Sequence, residues 1–201
     1  MSFFDDMSKN ELIKAIKEDF LRLYERMYIE KVYAGCLVTD DDASGMFLVF
    51  NTLEYLNKKD ALLFGEDPFK EFREMLSPEE FHKSFGEYEG TAMSTKWIPD
   101  EWGYGNNSLE DSFLNKYNAV LWNVRYSLRT EFEVSKFKDE MRKVMIDSLS
   151  LLKKYIEEKL NNEILLFVSI TDSEQSKLVE NESAKKINSA NSYNEFLKRA
   201  R

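Results

Sequence analysis

The chain has 201 residues, of which 43% are hydrophobic and 14% aromatic, and it carries a formal net charge of −9. A chain of this length can bury roughly 70% of its unfolded surface, so it needs neither a metal nor a disulfide to fold; its one cysteine, Cys36, excludes an intrachain disulfide. The acidic charge argues against nucleic acid as a partner, because phosphates are bound mainly by Lys and Arg.

The first predicted element is an amphipathic helix that begins at a capping box in residues 8–11 and ends near Glu30. Its apolar face repeats at helical spacing through Leu12, Ile16, Phe20, Leu23 and Met27. Two apolar runs follow, residues 32–39 and 46–50, and the polar turn 40–45 between them predicts a β-hairpin. Because neither strand alternates between polar and apolar residues, we expect both faces of the sheet to be covered.

In the middle of the chain, the sequence predicts short helices and a third strand. Residues 51–52, 67–68 and 77–78 each have the composition of a helix start. Residues 92–98 predict a strand that runs into the most irregular part of the chain. The sheet should therefore gain its third strand in this region.

In the C-terminal half, the sequence predicts two longer helices, a strand and a last helix. One helix opens at Ser108, and a longer one ends at residues 161–162. Residues 164–171 are apolar almost throughout, which predicts a strand in the centre of the sheet. A capping box from Ser192 to Glu195 predicts the last helix.

Together these elements predict an α+β fold: a small, mainly antiparallel sheet of about four strands, covered by helices on both faces. Residues 1–201 contain no repeat, low-complexity tract or linker, so we expect one globular domain. The N-terminus lacks the features of a secretory signal, and the longest apolar run, residues 164–168, is too short to cross a membrane. We therefore expect a cytoplasmic protein with no membrane partner.

The sequence contains no motif of a known catalytic mechanism. The only histidine, His82, lies in a short charged helix, and Cys36 lies inside a predicted strand, where it is better suited to packing than to nucleophilic attack. One His and one Cys do not have the spacing of a zinc site, and the seven glycines form no phosphate-binding loop. We expect no cofactor and no metal, and a non-enzymatic role is favoured.

Carboxylates at strand ends are one candidate site. Asp40 and its two acidic neighbours follow one predicted strand, and Asp172 follows another. Strand ends can meet in space, and clustered carboxylates can bind Mg²⁺ or Ca²⁺. Asp also favours turns for local hydrogen-bonding reasons, which explains the same residues without a ligand.

An aromatic segment, residues 97–104, is the other candidate. Trp97, Trp102 and Tyr104 lie close to Glu101, and such residues in an irregular loop suit a binding surface. The alternative is that both Trp side chains pack under a Pro-bent loop and close the core. If Glu101 lay between the two indoles, its carboxylate would be partly desolvated.

Four short sequence motifs, in their order along the chain, resemble those of a known family. They are the strand ending at residues 39–42, Asn-Thr-Leu-Glu at 51–54, Trp-Ile-Pro-Asp-Glu-Trp at 97–102, and the strand ending at Asp172 with Ser183 and Asn188 behind it. In this order they resemble the bacterial family catalogued as domain of unknown function 4303, from the first helix to Asn188. The family's Asn-Thr-Glu-Glu pattern keeps its second acid as Glu54, while Leu53 replaces the first. The resemblance implies a bacterial cytoplasmic protein and supplies no catalytic residue.

Two functional hypotheses follow. In the first, the chain is a non-enzymatic binding module, such as an immunity protein that blocks a basic toxin; this rests on the acidic charge and the aromatic segment. In the second, it binds a small ligand or a metal, or acts as an enzyme, through Glu101, Asp40 and Asp172. A purely structural role is the third possibility.

Overall fold

The computed structural model describes residues 2–64, 70–85 and 94–199. The elements in chain order are α1 (Asp6–Arg26), β1 (Val32–Asp40), β2 (Met46–Thr52), α2 (Leu53–Phe64), α3 (Lys70–Met75), α4 (Pro78–Phe85), β3 (Tyr104–Gly105), α5 (Phe113–Ser127), α6 (Glu131–Leu160), β4 (Leu165–Thr171), α7 (Ser176–Ile187) and α8 (Ala190–Leu197). Two 3₁₀ turns, Pro99–Glu101 and Asn106–Ser108, flank β3. Within these described ranges no helix is both long and apolar enough to cross a membrane.

The predicted β-hairpin is confirmed. β1 and β2 pair antiparallel, with Thr39 opposite Met46 next to the turn. In the turn, the Asp40 carboxylate accepts hydrogen bonds from the backbone N–H and the hydroxyl of Ser44. Gly35 lies against Phe50, where an added Cβ would come within 2.2 Å of a ring carbon. Only glycine allows β1 and this ring to approach so closely.

The sheet is mixed, and its strand order is β3-β2-β1-β4. The β1–β2 and β2–β3 pairs are antiparallel, as predicted, whereas β1 and β4 are parallel. The prediction that β4 lies in the centre is wrong, because β4 forms an edge of the sheet. It is nevertheless buried over Leu165–Ile170, because α7 covers its outer side.

The third strand is not where the sequence placed it. Residues 94–98 are not a strand, and residues 92–93 lie outside the described ranges. The third strand is Tyr104–Gly105, a short pairing with Val49 and Phe50. The preceding aromatic residues pack onto the face of the sheet and so cannot extend its edge.

Helices cover both faces of the sheet, as predicted. α1, α5 and α6 pack on one face, where Leu37, Phe50 and Val168 belong to the main core cluster. α7, α8 and the aromatic segment cover the other face around Cys36 and Phe167. This arrangement explains why neither β1 nor β2 alternates in polarity.

Several helix ends differ from the predicted caps. α1 begins after Asp5, whose carboxylate accepts the Ser8 N–H, and it ends at Arg26. α5 begins after Ser112, and α8 begins after Ser189, so the predicted starts at Ser108 and Ser192 are wrong. Each true cap is a short polar residue a few positions from the predicted one, and the sequence alone does not distinguish them.

Other predicted helix ends are confirmed. Ser77 and Glu80 form the predicted capping box before α4, and Thr52 accepts the Tyr55 N–H at the start of α2. α6 ends at Leu160, and Asn161 follows it in a left-handed conformation with φ 47°. The predicted helix start at residues 67–68 lies outside the described ranges.

Candidate protein-binding surface

The two Trp side chains of the aromatic segment pack into the second face of the sheet. The Trp97 ring lies 5.8 Å from that of Tyr33 and 5.1 Å from that of Phe196, with both pairs nearly perpendicular. The Trp102 ring lies 5.8 Å from that of Phe167, and its residue is only 7% exposed. Trp102 is therefore a core side chain, whereas Trp97 remains half-buried beside a groove.

Glu101 does not lie desolvated between these indoles. Its carboxylate is 2.7 Å from the Lys59 ammonium on α2, and this hydrogen bond raises the pKa of Lys59. Both side chains are partly exposed, so the pair is screened by solvent. The pair fastens the aromatic segment to α2.

Tyr104 lies in β3, away from the two Trp side chains. Its ring is 6.1 Å from that of Tyr55 and packs against the main core cluster. Burial and a hydrogen bond to Glu30 raise the pKa of Tyr104 to about 12. The segment thus divides its aromatic residues between the two faces of the sheet.

The strand-end carboxylates are close along the sheet but have different surroundings. Asp40 is paired with Thr171 in the parallel register, so Asp172 lies at the adjacent strand end. The Asp40 carboxylate is already bound to Ser44. The pKa of Asp100 is raised first by burial and then by the charges of Asp172 and Glu101. Among the residues that the structure describes, no three His, Cys, Asp or Glu side chains could hold one metal ion.

An exposed aromatic pair on α5 was missed by the sequence analysis. Trp122 and Tyr126 are each 49% exposed, and their ring centroids lie 4.1 Å apart with the ring planes tilted by 38°. They are four residues apart, the spacing that places side chains on one face of a helix. Val120 on the same helix is also exposed, at 63%.

The opposite side of α5 explains why this face points outward. Leu114 and Leu121 are buried, and Tyr117 and Val124 pack partly against the same core. These four positions form a complete helical stripe without Trp122 or Tyr126. The sequence could therefore have revealed the pair, because Trp122 and Tyr126 share one helix face and lie outside a core-facing stripe that is complete without them.

Charged groups of both signs border the aromatic pair. The Arg125 guanidinium lies 5.6 Å from the Tyr126 ring and donates to the backbone carbonyl of Asp42. This contact brings the β1–β2 turn to α5. The side chains of Asp41 and Asp42 in this turn are 62% and 73% exposed. We call the resulting surface the α5 surface and define it by Trp122, Tyr126, Arg125, Asp41 and Asp42.

The polar residues that carried the family resemblance hold the fold together. Thr52 caps α2, and Glu54 accepts the backbone N–H of Lys31. Ser183 and Asn188 bind backbone groups of β4. Structural hydrogen bonds therefore account for these motif residues.

These features define an α+β protein in which a small mixed sheet carries helices on both faces. The chain belongs to the family described as Domain of unknown function (DUF4303), whose model matches residues 12–189. No similar curated protein and no similar solved structure was found. The family's description assigns no activity.

Proposed function

We propose that this protein is a non-enzymatic module that binds a basic protein through the α5 surface. The observation that carries the proposal is the close contact of the Trp122 and Tyr126 rings, which are half exposed on the outside of α5. Trp, Tyr and Arg are the residue types that dominate binding energy at protein interfaces. A solvent-facing Trp–Tyr pair contributes little to the core, so partner binding is the better explanation of its position.

Charge supports a basic partner. The chain has a net charge of −9. The exposed carboxylates of Asp42 and Asp41 already pair with Arg125 at 3.5 Å and with Lys138 at 3.7 Å, so the charge of the whole chain, and not these two carboxylates alone, favours a basic partner. The faces of Trp and Tyr also attract Lys and Arg side chains of a partner. An aromatic surface on an acidic protein favours rapid association with a positively charged protein.

The more specific part of the proposal is a toxin-immunity role in the bacterial cytoplasm. An immunity protein must block a toxin by binding alone, which requires a surface and no catalytic site. Acidic charge and a preformed aromatic surface meet that requirement when the toxin is basic. The partner would then be a toxin made by the same bacterium.

The test compares the wild-type protein with Trp122→Ser/Tyr126→Ser. Tagged proteins are used to capture partners from the native host, and a captured protein is then purified and its binding kinetics are measured at low and high salt. We expect a basic partner, an association rate that falls with salt, and at least about a hundredfold weaker binding by the double variant.

A matched control is Leu178→Ser, because Leu178 is a similarly exposed apolar residue on α7. It should bind like the wild type. Equal losses in the control and the double variant would contradict the proposal. An association rate that is insensitive to salt would contradict the charge argument.

A second candidate is a small-ligand or metal site, or an enzyme site, at the strand-end carboxylates. The observation that favours it is that β1 and β4 end side by side, with Asp40 opposite Thr171 and Asp172 directly after it. This hypothesis predicts that Mg²⁺ or Ca²⁺ raises the melting temperature of the wild type and not that of Asp172→Asn. Equal melting temperatures with and without these ions would contradict the metal form of the hypothesis.

A further inference from the structure

A cleft opens where β1 and β4 end. These two strands are parallel, so their carboxyl ends meet at one edge of the sheet, with Asp40 beside Thr171. α6 passes over this edge and contributes Lys138, Met141 and Arg142 to the cleft. In sheets with parallel strands, the carboxyl ends are a preferred position for ligands.

The cleft has a small inner part and a larger, charged outer part. The inner cavity has a volume of about 30 Å³. Met141, Met145, Val168 and Ile170 form its apolar side, and Asp40, Asp41, Lys138 and Arg142 line its polar side. That space holds about two water molecules or a short alkyl group. The outer part has a volume of about 590 Å³ and adjoins the inner cavity along Asp41, Lys138 and Arg142.

Arg142 has an unused hydrogen-bond donor at this junction. Its Nε is buried and has no hydrogen-bond partner within the described part of the chain, while one terminal nitrogen donates to Gln175 at 3.2 Å. A buried polar group without a partner costs about 1–3 kcal/mol and calls for an explanation. The planar guanidinium is suited to bind a carboxylate through two parallel N–H groups.

The charges at the cleft exclude a ligand with several negative charges. Three cations, Arg129, Lys138 and Arg142, and three carboxylates, Asp41, Glu131 and Asp139, line the outer part, and the inner part adds the carboxylate of Asp40. A polyanion such as a triphosphate would be repelled by these carboxylates. A monocarboxylate can instead pair locally with Arg142 and with Lys138, whose ammonium contacts Asp41 only at 3.7 Å.

We propose that this cleft binds a small aliphatic monocarboxylate. The ligand's carboxylate accepts hydrogen bonds from Arg142 Nε and from Lys138. Its short alkyl chain fills the inner cavity against Met141 and Met145. The site differs from the strand-end hypothesis of the sequence analysis, because cations of α6 bind the ligand and the protein's own carboxylates do not.

The experiment uses the full chain labelled with ¹³C at the methionine methyl groups and titrated with butyrate. We expect saturable shifts of the Met141 and Met145 methyl signals, which are assigned with Met141→Leu and Met145→Leu. Butan-1-ol, which keeps the alkyl chain and lacks the charge, should give less than about a tenth of the shift at equal concentration. Absence of a shift with butyrate, or equal shifts with the alcohol, would overturn the proposal.

Two variants link the binding to Arg142. Arg142→Gln should weaken butyrate binding at least about tenfold, while Lys143→Gln, which removes a neighbouring exposed charge on the same helix, should not. If Arg142→Gln does not fold, Lys138→Gln serves in its place with the same expected weakening. Unchanged binding by the folded variant would overturn the proposal.

Discussion

The side chain of Asn188 makes two hydrogen bonds to the backbone of Leu166, the same two that a neighbouring strand would make. Its Oδ1 accepts the Leu166 N–H at 2.9 Å, and its Nδ2 donates to the Leu166 carbonyl at 2.7 Å. Ser183 continues this pattern two residues further along β4, because its hydroxyl accepts the Val168 N–H. An uncovered edge strand is a template for pairing with another chain. The end of α7 thus closes the sheet with side chains in place of a fifth strand.

Replacing Asn188 with Ala should lower the free energy of unfolding by about 2–3 kcal/mol, because two backbone groups of Leu166 lose their partner. The measurement is urea unfolding followed by circular dichroism. The matched control is Asn194→Ala, which removes an exposed amide from α8 and should cost less than about 0.5 kcal/mol. Similar losses in the two variants would show that the side chain of Asn188 does not stabilise the edge.

Asp19→Ala should be more damaging. The Asp19 side chain on α1 is fully buried and accepts hydrogen bonds from the Ser112 hydroxyl and from the backbone N–H groups of Phe113 and Leu114. It therefore binds the N-terminus of α5, and its removal should cost about 3 kcal/mol or more in unfolding free energy.

The control for Asp19 is Glu25→Ala, an exposed acid on the same helix, which should unfold at nearly the same urea concentration as the wild type. If Asp19→Ala behaved like this control, the hydrogen bonds between α1 and α5 would not contribute to stability.

Substitution of two tryptophans should lower the free energy of unfolding by very different amounts. Trp102→Ala removes a core side chain and should lower the free energy of unfolding by about 3–5 kcal/mol. Trp122→Ala removes an exposed ring that stacks only on Tyr126 in the described contacts, and should cost less than about 1 kcal/mol. Thermal and urea unfolding of both variants check this contrast. A large loss of stability with Trp122→Ala would mean that the α5 surface has a structural role.

Asp60 should make stability depend on acid pH. Burial raises the pKa of Asp60, but hydrogen bonds from Ser94 and Thr95 outweigh burial and hold the pKa below its ordinary value of 3.8. A carboxylate with a lower pKa in the folded state stabilises the protein above its unfolded pKa. This contribution is lost as the pH falls through the folded pKa.

Unfolding should therefore be measured from pH 5 to about pH 2 for the wild type and Asp60→Asn. The difference in stability between the two proteins should shrink as the pH falls. Thr95→Val, which removes one of the donors, should lie between them. Parallel pH curves for the wild type and Asp60→Asn would contradict the assignment.

Local patterns determined which elements form. The β1–β2 hairpin, the long helix α6 and the strand β4 were all predicted, because apolar runs, turn residues and helical spacing act within a few residues of one another. The α+β class and the covering of both sheet faces followed from the same patterns. The Trp97–Tyr104 segment was also recognised as unusual, although both a surface role and a core role were open.

Distant contacts decided what the sequence left open. β4 is an edge strand because Ser183 of α7 and Asn188, which directly follows α7, bind its backbone. The composition of residues 164–171 does not show whether a strand or side chains cover this edge. Trp102 is buried and Trp122 is exposed because one meets the face of the sheet and the other lies outside a completed helix stripe. Side-chain type and spacing determine the elements, but burial depends on which other elements pack against them, and only the tertiary structure supplies those partners.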